Sequence, residues 1–98
     1  MSIDHAVVAD IKSARLAGRL ILEVYVHAGR SRALTWRLRA EVESRAGRST
    51  TQQAGLTNGL QTGPVCTLAL NEDVIGLVEL DVSEDNVQLA HFRVPLTR

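Results

Sequence analysis

A chain of 98 residues lies near the commonest domain size and is too short for two ordinary hydrophobic cores. With 45% hydrophobic residues and 11 Lys/Arg balanced by 11 Asp/Glu, it has neither the low hydrophobicity of a disordered chain nor the basic surplus of a nucleic-acid binder. Its single cysteine excludes an internal disulfide and a CxxC pair, and no apolar run approaches the roughly 18 residues of a membrane-spanning helix. One domain over residues 1–98 is expected, with an ordered core over about 7–95.

The opening Met1-Ser2-Ile3-Asp4-His5 lacks the basic and apolar regions of a secretory signal. The expectation is a cytoplasmic chain or one that begins behind a removed leader, frayed before Val7. A weak alternating segment, Val7 to Ala14, predicts the first strand, and Ala17-Gly18 the turn after it. Arg19 to His27 is clearer, with Leu20, Leu22, Val24 and Val26 on one face. Beyond Ala28-Gly29, Leu34 to Glu43 places an apolar residue at every even position and a polar one at every odd position, the pattern of a strand with one wet face. A helix would mix Leu34 and Arg37 on one side.

Ala46-Gly47 then turns the chain into Ser49 to Ala54. The glycine-containing stretch Gly55 to Pro64 is expected to be a mobile loop, and Val65 to Leu70, Ile75 to Val82 and Val87 to Val94 complete the strands. The tail after Pro95 is expected to fray. Seven short strands at regular turn spacings, with a tryptophan on the third, predict an all-β, immunoglobulin-like (fibronectin-like) β-sandwich without the paired cysteines of antibody domains. Trp36, Tyr25 and Phe92 are the only aromatic residues, so aliphatic side chains must fill most of that core.

Catalytic chemistry has no support in the residues. His5, His27 and His91 are too scattered for a metal set, there is no GxSxG elbow, and no phosphate-cradling or dinucleotide glycine pattern occurs. No enzyme, cofactor or metal is expected. Cys66, set in Val65-Cys66-Thr67-Leu68, reads as a small buried hydrophobe.

Charge is distributed unevenly: residues 1–50 hold nine Lys/Arg against five Asp/Glu, and residues 51–98 hold two against six. Within the first half, Arg30, Arg32, Arg37, Arg39, Arg45 and Arg48 cluster against only Glu41 and Glu43. Alternation puts Arg37 and Arg39 on the wet face of the third strand, and Arg45 and Arg48 bracket the following turn. The cluster is either an ordinary solvated face balanced by acidic neighbours or a patch that steers an acidic partner; in the second case these four arginines are the candidate partner-binding residues.

Through Leu20-Ile21-Leu22-Glu23-Val24, Thr35-Trp36-Arg37-Leu38-Arg39-Ala40-Glu41-Val42, Gly47-Arg48-Ser49-Thr50-Thr51-Gln52-Gln53-Ala54-Gly55 and the last two apolar strands, the chain resembles the CsgH family of curli chaperones, relatives of the periplasmic curli-assembly protein CsgC. The resemblance spans roughly residues 17–95. It implies a seven-stranded immunoglobulin-like domain, exported to the periplasm, that keeps the unfolded or prefibrillar curlin subunit from nucleating amyloid. The implied client is acidic and rich in Gln, Asn and Gly. No cofactor, nucleic acid or membrane is implied, and the chain is expected to act as a monomer. Unlike CsgC it has no Cys-x-Cys pair, which removes a redox role. The rival reading is an immunoglobulin-like structural or adhesive module of a surface assembly.

Overall fold

The computed structural model describes residues 7–97. It contains β1 (Val8–Leu16), β2 (Arg19–His27), β3 (Leu34–Ser44), β4 (Gly47–Thr57), β5 (Cys66–Asn71), β6 (Ile75–Glu84) and β7 (Val87–Leu96), with no helix among those residues. The strands form two antiparallel sheets, β1-β2-β5 and β4-β3-β6-β7, so the chain changes sheet after β2, after β4 and again after β5.

The period-two pattern decides which faces meet. Leu20, Leu22, Val24 and Val26 of β2 are buried, as are Leu34, Trp36, Leu38, Ala40 and Val42 of β3 and Val78, Leu80 and Val82 of β6. Together with Cys66 and Leu68 of β5 they form one cluster that draws on both sheets. Each large aliphatic side chain withdrawn from water in this way contributes about 1.5–3 kcal/mol. Trp36 lies within this layer at 6% exposure, as the alternation requires. Its indole sits over Gly55 of β4, where a Cβ would come within 2.9 Å of the ring. Gly76 serves a different contact: its φ is +151°, and a Cβ there would collide with the carbonyl oxygen of Glu41 on β3.

Three expectations are corrected. β4 runs to Thr57 and has 11 residues, so Gly55 and Leu56 belong to a strand and not to a loop. The rest of the supposed mobile loop is tied down: Gly59 is buried, its carbonyl accepts from Ala28 N at 2.8 Å, and Asn58 Oδ1 accepts from Leu60 N at 2.9 Å. Gln61 Nε2 also donates to the Pro64 carbonyl at 3.0 Å. β7 continues past Pro95 to Leu96, which is buried at 8% exposure. The fraying expected before Val7 lies outside the described residues.

Arg32 leaves the surface cluster for a structural task. Its Nη2 and Nε meet Glu84 Oε1 and Oε2 at 2.7 and 3.2 Å, a forked pair that joins the β2–β3 connection to the end of β6. The hydrogen bond from Arg32, helped by the charges of Arg32 and Arg30, holds the Glu84 carboxyl below the usual range, against the opposing effect of burial. Because the folded-state value is the depressed one, this stabilisation is present above the unfolded carboxylate pKa, about 4.3, and is lost as pH falls through the folded value. Urea unfolding of the parent and of Glu84→Gln should therefore differ most near pH 7, with the gap closing towards pH 3. A constant gap across that range would show that the carboxyl charge is not involved.

Cys66 is 8% exposed, and burial pushes its thiol pKa up. Its Sγ donates to Gln53 Oε1 at 2.8 Å, joining β5 to β4 across the edge between the two sheets. It should react slowly with thiol reagents when folded and rapidly in denaturant. Cys66→Ser should fold with a loss of about 1–2 kcal/mol, since the buried hydroxyl is partly compensated by Gln53. Rapid native-state labelling would contradict the packing role.

Candidate functional site

The outward residues of β3 are Thr35, Arg37, Arg39, Glu41 and Glu43, and the register fixes what stands beside each. Arg37 has Ala54 of β4 on one side and Asp81 of β6 on the other; Asp81 in turn faces His91 of β7. The next row runs Gln52, Arg39, Glu79, Arg93. Glu41 lies between Thr50 and Leu77, and Glu43 between Arg48 and Ile75. Cross-strand neighbours of this kind have Cβ atoms about 4.5–5.5 Å apart, close enough for charges to pair.

The four candidate arginines are all exposed, but they do not form one basic field. Arg37 and Arg39 occupy the middle of the face, whereas Arg45 lies in the β3–β4 turn and Arg48 opposite Glu43. At about 3.4 Å per residue, Arg39 and the Glu43–Arg48 pair are separated by roughly 14 Å along the strand, more than the ~8 Å screening length at physiological salt. Glu41 intervenes, and Glu43 is itself a member of the pair. Arg39 is paired with Glu41, Arg48 Nε lies 3.8 Å from Glu43 Oε1, and Arg93 Nε lies 3.8 Å from Glu79 Oε2. His91 stands between two carboxylates, with Nδ1 2.5 Å from Asp81 Oδ1 and Nε2 3.7 Å from Glu79 Oε2. The face is a chequer of both signs, not a basic patch.

One member of the set stands apart. Among the described residues Arg37 has no carboxylate within ion-pair distance, and its small neighbour Ala54 leaves its β4 side open. It borders two shallow clefts on this face. One, of about 540 Å³, runs towards Arg39, Gln52, Gln53 and Glu79; the other, of about 610 Å³, runs towards Thr35, Leu56, Ser83 and Gln88. Arg37 thus offers unspent guanidinium donors at the junction of two grooves, an arrangement suited to forked contact with a carboxylate or a main-chain carbonyl. The sequence marked Arg37 but missed Glu79, Asp81, His91 and Arg93. Their alternation was readable; the pairing of β3 with β6 was not.

No protein-family model and no curated protein matches the sequence. Solved structures do match in shape. CsgH of R. palustris superposes with a TM-score of 0.69 over 91% of each chain, at 22% sequence identity. The fold is that of CsgH and CsgC. The E. coli curli protein CsgC gives a TM-score of 0.68 at 15% identity, over 97% of this chain and all of its own. At such identities the likeness speaks for the backbone, and the side chains on the charged face must be argued from this chain.

Proposed function

We propose that this chain is a periplasmic chaperone that binds the curlin subunit transiently and keeps it from premature amyloid assembly, working by binding and not by catalysis. The observation that carries this reading is the shared fold with CsgH over nine-tenths of both chains. We place the domain in the immunoglobulin-like class, supported by three strands packed against four with repeated crossing between sheets. The contact surface in this reading is the outer face of the larger sheet, centred on Arg37, with Arg39 beside it and Arg45 and Arg48 as outlying positive charges. An acidic, extended client would be met by arginine donors that remain charged at any physiological pH. Exposed charges of this kind raise encounter rates more than they lengthen the lifetime of a complex, which suits a chaperone that must release its client.

Fibre formation by purified curlin, followed with an amyloid dye, tests the reading. The protein should lengthen the lag at amounts well below that of the subunit. No delay even at equimolar protein would remove the chaperone reading and leave the structural or adhesive module.

A further inference from the structure

We infer that the free edge of β4 is a strand-addition site for an extended, uncharged segment rich in Gln, Asn, Ser and Thr. Two antiparallel sheets leave four edges: β1 and β5 on the smaller, β4 and β7 on the larger. Unpaired edges invite other chains, and proteins blunt them with charge, proline, bulges or short strands. Three of these edges are so guarded. β1 carries Asp10, Lys12 and Arg15; β5 has only 6 residues; β7 carries His91, Arg93 and Pro95, and its ladder to β6 is irregular at Val82/Ser83.

β4 has none of these devices after Arg48. From Ser49 to Thr57 it contains no charge and no proline, and its ladder to β3 runs unbroken from Ser44↔Gly47 to Leu34↔Thr57. An added strand would therefore find a straight row of main-chain donors and acceptors.

The side chains select the occupant. Thr50, Gln52 and Ala54 point to one face of β4, and Ser49, Thr51 and Gln53 to the other; all are exposed except Thr51, which is half-buried. Apart from the exposed Leu56 near its end, β4 offers nothing for an apolar face to cover, and a charged neighbour would find no counter-ion along Ser49 to Thr57. A strand polar on both faces loses nothing there, and its amide side chains can continue the ladder begun by Gln52. With no apolar pocket to fill, such pairing is weak and reversible. This deepens the chaperone reading by giving the client a main-chain contact, and its deciding measurement, a peptide titration, omits curlin so that the two can fail separately.

The probe is a blocked peptide of about ten residues drawn from Gln, Asn, Ser and Thr, titrated into isotope-labelled protein beside the same peptide with alternate backbone amides methylated. The expected result is amide shifts running along residues 49–56, lost about tenfold in affinity with the methylated peptide and with the folded double variant Thr50→Lys, Gln52→Lys. In the fibre assay that variant adds positive charge, so steering alone predicts equal or faster capture of an acidic client. Strand addition predicts weaker inhibition. Shifts centred on Arg37 and Arg39 that ignore methylation would overturn the inference, as would no shift at millimolar peptide. Broadening of β4 that grows with protein concentration in the absence of peptide would overturn it in favour of a second copy.

Discussion

Trp36→Ala should lower folding stability by about 3–5 kcal/mol, the usual cost of truncating a buried aromatic side chain. The indole fills the space between β3 and the inward side of β4, where Gly55 offers no side chain of its own. Its removal leaves a hole that the rigid ladders on either side cannot close. For a domain of this length each kcal/mol moves the thermal midpoint by about 4–8 °C, so the variant should melt well over ten degrees below the parent. The partner position gives a sharper check. Gly55 is not among the residues of positive φ, so an alanine there is opposed by space alone. Gly55→Ala should destabilise the parent and be neutral or stabilising beside Trp36→Ala, a coupling that a double-mutant cycle reads directly. Additive effects, or unchanged tryptophan emission on unfolding, would show that the indole is not packed on Gly55.

The same pair explains why β4 was hard to read. The presence of all seven strands was legible, most plainly in β2, β3 and β6, each of which buries one face, with strict alternation in β3. β4 lies at an edge, where the inward-pointing Ser49 and Gln53 stay exposed and Thr51 half-buried, Gln53 meeting Cys66 of β5. With both faces polar, no alternation marks its ends. Its glycines then read as turn signals, correctly for Gly47 and wrongly for Gly55, whose small size serves Trp36. Leu96 was lost for a related reason: proline is a breaker in most contexts, but on the edge strand β7 the missing N–H of Pro95 costs nothing and the chain continues.

The candidate site was legible residue by residue but not as a whole. Period two told which side chains of β3 are wet. It could not tell that β6, more than thirty residues later, lies beside β3 and sets Asp81 and Glu79 next to Arg37 and Arg39. The uneven charge of the two halves of the sequence was the available clue, since a basic first half and an acidic second half attract one another when sheets assemble. Arg32 shows the same effect in its strongest form, in its forked pair with Glu84.

That neutralised setting makes Arg37 the decisive residue of the charged face. If capture of an acidic client depends on it, Arg37→Gln should shorten the curlin lag several-fold relative to the parent, while Arg39→Gln, already engaged by Glu41, should do less. Arg45→Gln and Arg48→Gln, a screening length or more away, should each do least. All four side chains are exposed, so each change should move stability by no more than about 0.5 kcal/mol. The reverse test alters the carboxylate beside the same arginine. Asp81→Asn removes the negative charge opposite Arg37 and should lengthen the lag, a change of opposite sign that general damage to the fold would not produce. Added salt should weaken the effect of every one of these variants, because exposed charges are screened over roughly 8–10 Å at ordinary ionic strength. A folded quadruple Arg→Gln protein that still delays fibres as well as the parent, at low salt and at high, would eliminate the face as the working surface and transfer the client to the unguarded edge of β4.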